Sequence, residues 1–151
     1  PYMYWLRFLQ DGREAGELDW KAIGGTWGCA TSNLTTWEPT FGVEIPCKDF
    51  PRILEGINRH SPVLSRYVHK YFCDVAQHCR ELFAVVRPTG TVHYIVGNSK
   101  FFDTLLPVES IYAALFKAAG FQNTRVQAIR KRTSKKELYE FVVSAKKPPK
   151  G

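Results

Sequence analysis

Apolar residues recur at Leu64, Val68, Phe72, Val75, Cys79, Leu82 and Val86, spaced four, four, three, four, three and four. This period keeps one face apolar for about six turns and predicts a long amphipathic helix. Arg66, His69, Lys70, Asp74, Gln77 and Glu81 fall on the opposite face, which predicts a solvated side. Ser61-Pro62 opens the helix: the serine hydroxyl accepts an orphan backbone N–H, and proline is tolerated at the first helical position. Pro88 and Gly90 stop it. Thr91-Val92-His93-Tyr94-Ile95-Val96 follows, mostly β-branched or aromatic, and reads as a strand that ends in Gly97-Asn98-Ser99. Helix, tight turn and strand make half of an α/β unit. Ligands of such sheets sit outside the carboxyl ends of the strands, so Asn98 and Ser99 are candidate pocket residues. The alternative for Asn98 is that it caps or turns the chain after the strand.

The rest of the chain follows the same logic. Residues 108–119 place Val108, Ile111, Tyr112, Leu115 and Ala119 on one helix face, with Gly120 as the C-terminal cap. Residues 124–130 alternate like a half-buried strand, 131–137 are a polar, basic connection, and 138–145 are a further strand able to pair antiparallel with the one before. Upstream, residues 49–59 present Phe50, Ile53, Leu54 and Ile57 as one face of a short helix. Residues 1–10 read as a short buried helix rich in aromatics, and residues 14–23 are weakly helical. Residues 24–37, rich in Gly, Thr and Trp without a period, predict a loop. A long loop in a compact domain is functional or disordered. Trp27 and Trp37 argue against disorder; they either pin the loop to the core or border a binding cleft.

Composition narrows the class. A chain of 151 residues, 44% hydrophobic and 14% aromatic, fits one folded domain. No apolar run approaches bilayer length and no signal peptide opens the chain, so no membrane partner is expected. Pro1 in place of methionine suggests a processed chain or one cut from something longer. Cys29, Cys47, Cys73 and Cys79 form no CxxC pair and read as free thiols of a reducing cytoplasm. His69 and Cys73 stand four apart, but with no third ligand near them no metal site is expected. The net charge is +7; residues 121–151 hold nine Lys/Arg against two Asp/Glu, while the charges of residues 1–120 cancel. Such a concentration means either a polyanion partner or a solvated tail.

Glu81-Leu82-Phe83-Ala84-Val85-Val86-Arg87-Pro88-Thr89-Gly90-Thr91-Val92 resembles the helix, Pro-Gly turn and fifth strand of class I S-adenosylmethionine-dependent methyltransferases. Tyr94-Ile95-Val96-Gly97-Asn98-Ser99, Gly120-Phe121 and Arg130-Lys131-Arg132-Thr133-Ser134-Lys135-Lys136-Glu137-Leu138-Tyr139-Glu140-Phe141-Val142-Val143 extend the likeness. Together they resemble the C-terminal part of bacterial amino-methylating DNA methyltransferases, which modify adenine N6 or cytosine N4. The likeness covers residues 61–145, and residues 1–60 resemble the variable region after the catalytic strand.

The resemblance implies an α/β fold: the C-terminal half of a Rossmann-like sheet, strands five to seven with the last antiparallel, plus a helical and loop N-terminal region. It divides the chain into residues 1–60, 61–147 and a tail over 148–151. No glycine-rich turn after a strand is present, so the residues that hold S-adenosylmethionine are expected outside the chain. The catalytic Asp/Asn/Ser-Pro-Pro-Tyr/Phe motif is expected upstream of Pro1. Pro1-Tyr2 matches its last two letters, but Met3-Tyr4-Trp5-Leu6 runs into a helical pattern where the family has a loop. Methyl transfer from a sulfonium needs placement and exclusion of water more than acid or base help. The target base must leave its stack and enter a pocket, to which Asn98 and Ser99 would contribute. Lys131, Arg132, Lys135 and Lys136, emerging on the pocket side, are candidate phosphate contacts, with Trp27 and Trp37 as further nucleic-acid contacts. DNA is the expected partner. The alternatives are an RNA methyltransferase and a non-catalytic nucleic-acid-binding module on a truncated fold.

Overall fold

The computed structural model describes residues 12–24, 33–39, 42–133 and 138–150. The helix expected over residues 1–10, Trp27, Cys29, Lys135 and Lys136 lie outside them. The elements are α1 (Gly12–Lys21), α2 (Phe50–Asn58), α3 (Pro62–Val85), β1 (Thr91–Gly97), β2 (Ser99–Phe101), β3 (Thr104–Leu106), α4 (Val108–Ala118), β4 (Gln122–Lys131) and β5 (Tyr139–Lys146). The protein is therefore mixed α/β. β5 lies between β1 and β4 and is antiparallel to both, so β1 and β4 run parallel to each other. β2 and β3 form a separate antiparallel hairpin.

α3 begins as its sequence predicts. Ser61 is extended, its Oγ accepts the Leu64 N–H at 3.3 Å, and Pro62 occupies the first turn. At 24 residues it is about 36 Å long. Val68, Phe72, Val75 and Cys79 are buried, the stripe that the period marks. The other face departs from expectation at one point: Lys70, expected in solvent, is only 5% exposed. Its Nζ donates to Asp74 Oδ2 at 2.6 Å and to the Trp20 carbonyl at 3.5 Å, and the Gly24 N–H donates to the same carboxylate oxygen at 2.8 Å. The end of α1 covers this side of α3, so the ion pair is a tertiary clasp rather than a surface pair.

α4 ends in a Schellman turn. The Phe121 N–H donates to the Phe116 carbonyl and the Gly120 N–H to that of Lys117, each at 3.0 Å. Gly120 takes φ +105°, and a Cβ there would stand 3.0 Å from the Phe83 ring. Phe116, Phe121 and Phe83 meet edge to face beneath it, with centroids 5.5 and 5.1 Å apart. The core lies between α2, α3, α4 and one sheet face, around Ile57, Phe72, Val75, Ile111, Phe116 and Val143, all fully buried.

Two further features differ from the sequence reading. β4 is exposed along almost its whole length instead of half-buried, and it is a sheet edge with no partner strand on its far side among the described residues. The β2–β3 hairpin was not signalled by Gly or Asn; Phe102 at its tip takes φ +53°. The hairpin rests on α2 at Gly56, where a Cβ would meet Thr104 Oγ1 at 2.7 Å. At the C-terminal end, Lys147 Nζ donates to the carbonyls of Phe83 at 2.5 Å and Val86 at 2.7 Å, closing the end of α3. Among the described residues, no helix is long and apolar enough to cross a membrane.

Candidate functional site

The carboxyl end of β1 opens on a cleft of about 390 Å³, within the size range of small-molecule sites. α3 supplies Tyr67 and Tyr71 from one face, since residues four apart stack along a helix. Tyr94 and Gly97 come from β1, Ser99 and Phe101 from the hairpin, and Tyr112 from the second turn of α4. The Tyr71 and Tyr112 hydroxyls share a hydrogen bond of 2.7 Å. Tyr94 packs edge-on against Phe116, and its hydroxyl meets His78 Nε2 at 2.5 Å.

Burial pushes the Tyr71, Tyr94 and Tyr112 phenols above their ordinary range; for Tyr112 the hydrogen bond to Tyr71 adds to the effect. All three keep their protons at neutral pH. The cleft is thus an aromatic wall with neutral hydroxyls that can donate or accept. It suits a flat polar ring, held by stacking and edge hydrogen bonds, and these three phenols supply no phenolate base.

The sequence candidates separate here. Ser99 lines the cleft. Asn98, 5% exposed, has its Oδ1 accepting the Tyr139 N–H at 2.8 Å, which ties the end of β1 to the start of β5. Arg132 lies across β1: its Nη1 is 3.4 Å from where a Gly97 Cβ would stand, on the sheet face away from the helices. With Arg130, Lys131, Thr133 and Glu140 it lines a second recess of about 340 Å³. Arg130 holds Glu140 through two hydrogen bonds of 2.8 and 3.1 Å, which draws that carboxyl below its ordinary pKa. Trp37 is not among the cleft residues; it is half-buried and meets His69 edge-on at 5.5 Å. The near end of the Gly/Trp loop does reach the cleft wall, since a Gly24 Cβ would stand 3.0 Å from Tyr71.

Sequence analysis puts Tyr94 in a strand and Tyr112 on an apolar helix face, and marks none of the four tyrosines as a cleft residue. The available signal was Tyr67 and Tyr71 at i and i+4, on the same helix side as residues already assigned to the core. Cys73 and Cys79 are buried, their thiols pushed up to about 11 by desolvation, and so are inert at neutral pH. Among the described residues, no group of three metal-ligating side chains occurs. These residues do not fit S-adenosylmethionine either. β1 runs through Asn98 straight into β2 with no glycine-rich turn or helix start, and the Asn98 amide oxygen is already engaged. Searches against family models, curated proteins and solved structures find no match to the chain.

Proposed function

We propose that the chain forms the C-terminal, substrate-side part of a Rossmann-like methyltransferase domain that transfers a methyl group to an exocyclic amino group of a flipped nucleic-acid base, with DNA as the substrate. One observation carries this reading: an antiparallel β5 inserted between β1 and β4, two parallel strands joined through α4. In the family that the sequence resembles, strands five, seven and six stand in this order. Further parallel strands would continue from the edge of β1, which has no partner strand among the described residues.

The residues present would then act on the base. The cleft accepts the flipped ring beside Tyr67, Tyr71 and Ser99 and excludes water from it. Lys131 and Arg132, at the end of β4, hold the phosphates that flank it. S-adenosylmethionine is held by residues elsewhere in the enzyme.

The test joins this chain to the coding sequence that precedes it and follows label from methyl-tritiated S-adenosylmethionine into DNA and RNA. Label on adenine N6 or cytosine N4 of DNA is the expected result. Label in RNA alone would replace the substrate, and no transfer to either would remove the enzyme reading.

A further inference from the structure

The side of the sheet away from the helices has its own chemistry. Strand register puts Thr91, Lys146 and Gln122 in one row across the sheet, then His93, Ser144 and Arg125, then Ile95, Val142 and Gln127, then Gly97, Glu140 and Arg130. These side chains point away from the core, because Val92, Val143 and Ala145, which alternate with them, are buried. Arg125, Gln127, Arg130 and Lys146 are exposed, and Ile95 is 72% exposed. Arg132 adds its guanidinium to the last row, over Gly97. Among the described residues, four cations therefore stand on this face against one carboxylate, Glu140, which Arg130 already engages.

Rows two residues apart are separated by about 6.8 Å, so the strip from Lys146 to Arg130 is about 20 Å long. Three of its cations are arginines: Arg130 spends its fork on Glu140, while the planar forks of Arg125 and Arg132 match phosphate oxygens in a bidentate manner. Between them, Gln127, Ser144 and Thr91 offer neutral donors of the kind that contact phosphate and sugar. His93 is the one ring on these rows, so the face lacks a platform for stacking successive bases. An anionic membrane would need a broad set of apolar anchors, and on these rows only Ile95 and the half-buried Val142 beside it are large and apolar.

We propose that this open sheet face binds the phosphodiester backbone of a nucleic acid, without reading bases. The inference rests on the charge pattern of the face. The methyl-transfer experiment above can fail without touching it.

Arg125 and Lys146 provide the test, since both lie at the opposite end of the sheet from the 131–139 connection. Fluorescence anisotropy would follow labelled oligonucleotides of several sequences, single- and double-stranded, binding to the 151-residue chain at increasing salt. With Arg125→Gln and Lys146→Gln together, affinity should fall roughly tenfold for every sequence alike. The log–log salt slope should flatten by about 1.5 units, as two contacts are lost. Gln127→Arg should do the reverse, strengthening binding and steepening the slope by roughly one unit. This gain guards against a loss caused by misfolding. No binding by the parent chain at low salt, or parent-like slopes in both variants, would overturn the proposal. So would poly-glutamate, or vesicles of phosphatidylserine and phosphatidylcholine, competing as well as nucleic acid at equal charge, since the face would then fit another polyanion.

Discussion

Gly120 shows how much one backbone angle decides. A residue with a Cβ at φ +105° is strained, and here the added carbon would also press on the Phe83 ring. Gly120→Ala is expected to cost about 1–2 kcal/mol and to lower the thermal midpoint by several degrees. Calorimetric unfolding checks this, and an unchanged midpoint would mean that the turn relaxes freely. His69 couples its burial to acid stability. Its ring sits edge-on between Trp37 and Phe50, and burial lowers its pKa from 6.5. The unfolded chain then binds more protons than the folded one between the two pKa values. His69 therefore contributes its full share of stability above about pH 6.5, and this is lost as pH falls from there through the folded value. Urea midpoints at about pH 7.5 and about pH 5.5 should differ less in His69→Phe than in the parent. Equal differences would show that His69 carries none of the acid sensitivity.

Between elements, the Lys70–Asp74 pair joins α1 to α3. Asp74→Ala would leave the Lys70 ammonium with the Trp20 carbonyl at 3.5 Å and its ring at 4.7 Å, and would take the acceptor from the Gly24 N–H. Asp74 is 29% exposed, so water softens the loss, and about 2 kcal/mol is expected in urea unfolding. Lys70→Met combined with Asp74→Leu should recover much of it, because apolar replacement of both partners removes the buried charge. A double variant as weak as the single would show that the clasp acts through packing alone. This pair also marks where sequence reading stopped. A Lys and an Asp at i and i+4 read as a solvated helix pair, and only the docking of α1 makes them buried. The start of α3, the end of α4 and the paired strands were legible because each carries a local signal: Ser61-Pro62, Gly120, and runs of β-branched residues. The β2–β3 hairpin was not, since its turn uses Phe102 at φ +53° instead of Gly or Asn. β4 alternates as a half-buried strand does, but no element among those described covers its outer side. Of the site, Ser99 could be read from its place at a strand end. The Tyr71–Tyr112 pair and the position of Arg132 over Gly97 depend on tertiary packing between distant segments.

For the whole molecule, the question is what this assembly can do unaided. Its net positive charge falls in residues 121–151, where β4 and β5 carry Arg125, Arg130 and Lys146 to the open face, and Arg130 lines the recess beside it with Arg132. Its aromatic cleft lies on the other side of β1, against α3 and α4. The proposed phosphate face and the proposed base cleft thus lie on different sides of β1. A cofactor as polar as S-adenosylmethionine requires backbone close to its carboxylate and ribose, and partners for each of their polar atoms. The carboxyl end of β1 offers only the Ser99 and tyrosine hydroxyls and no turn of close backbone, because the chain passes directly into β2 and Asn98 is turned toward β5. Titration calorimetry of the isolated chain with S-adenosylmethionine should therefore give no heat beyond dilution. Low-micromolar binding by the isolated chain would locate a cofactor site within it, and replacing Tyr71 or Ser99 would then show whether the cleft is that site.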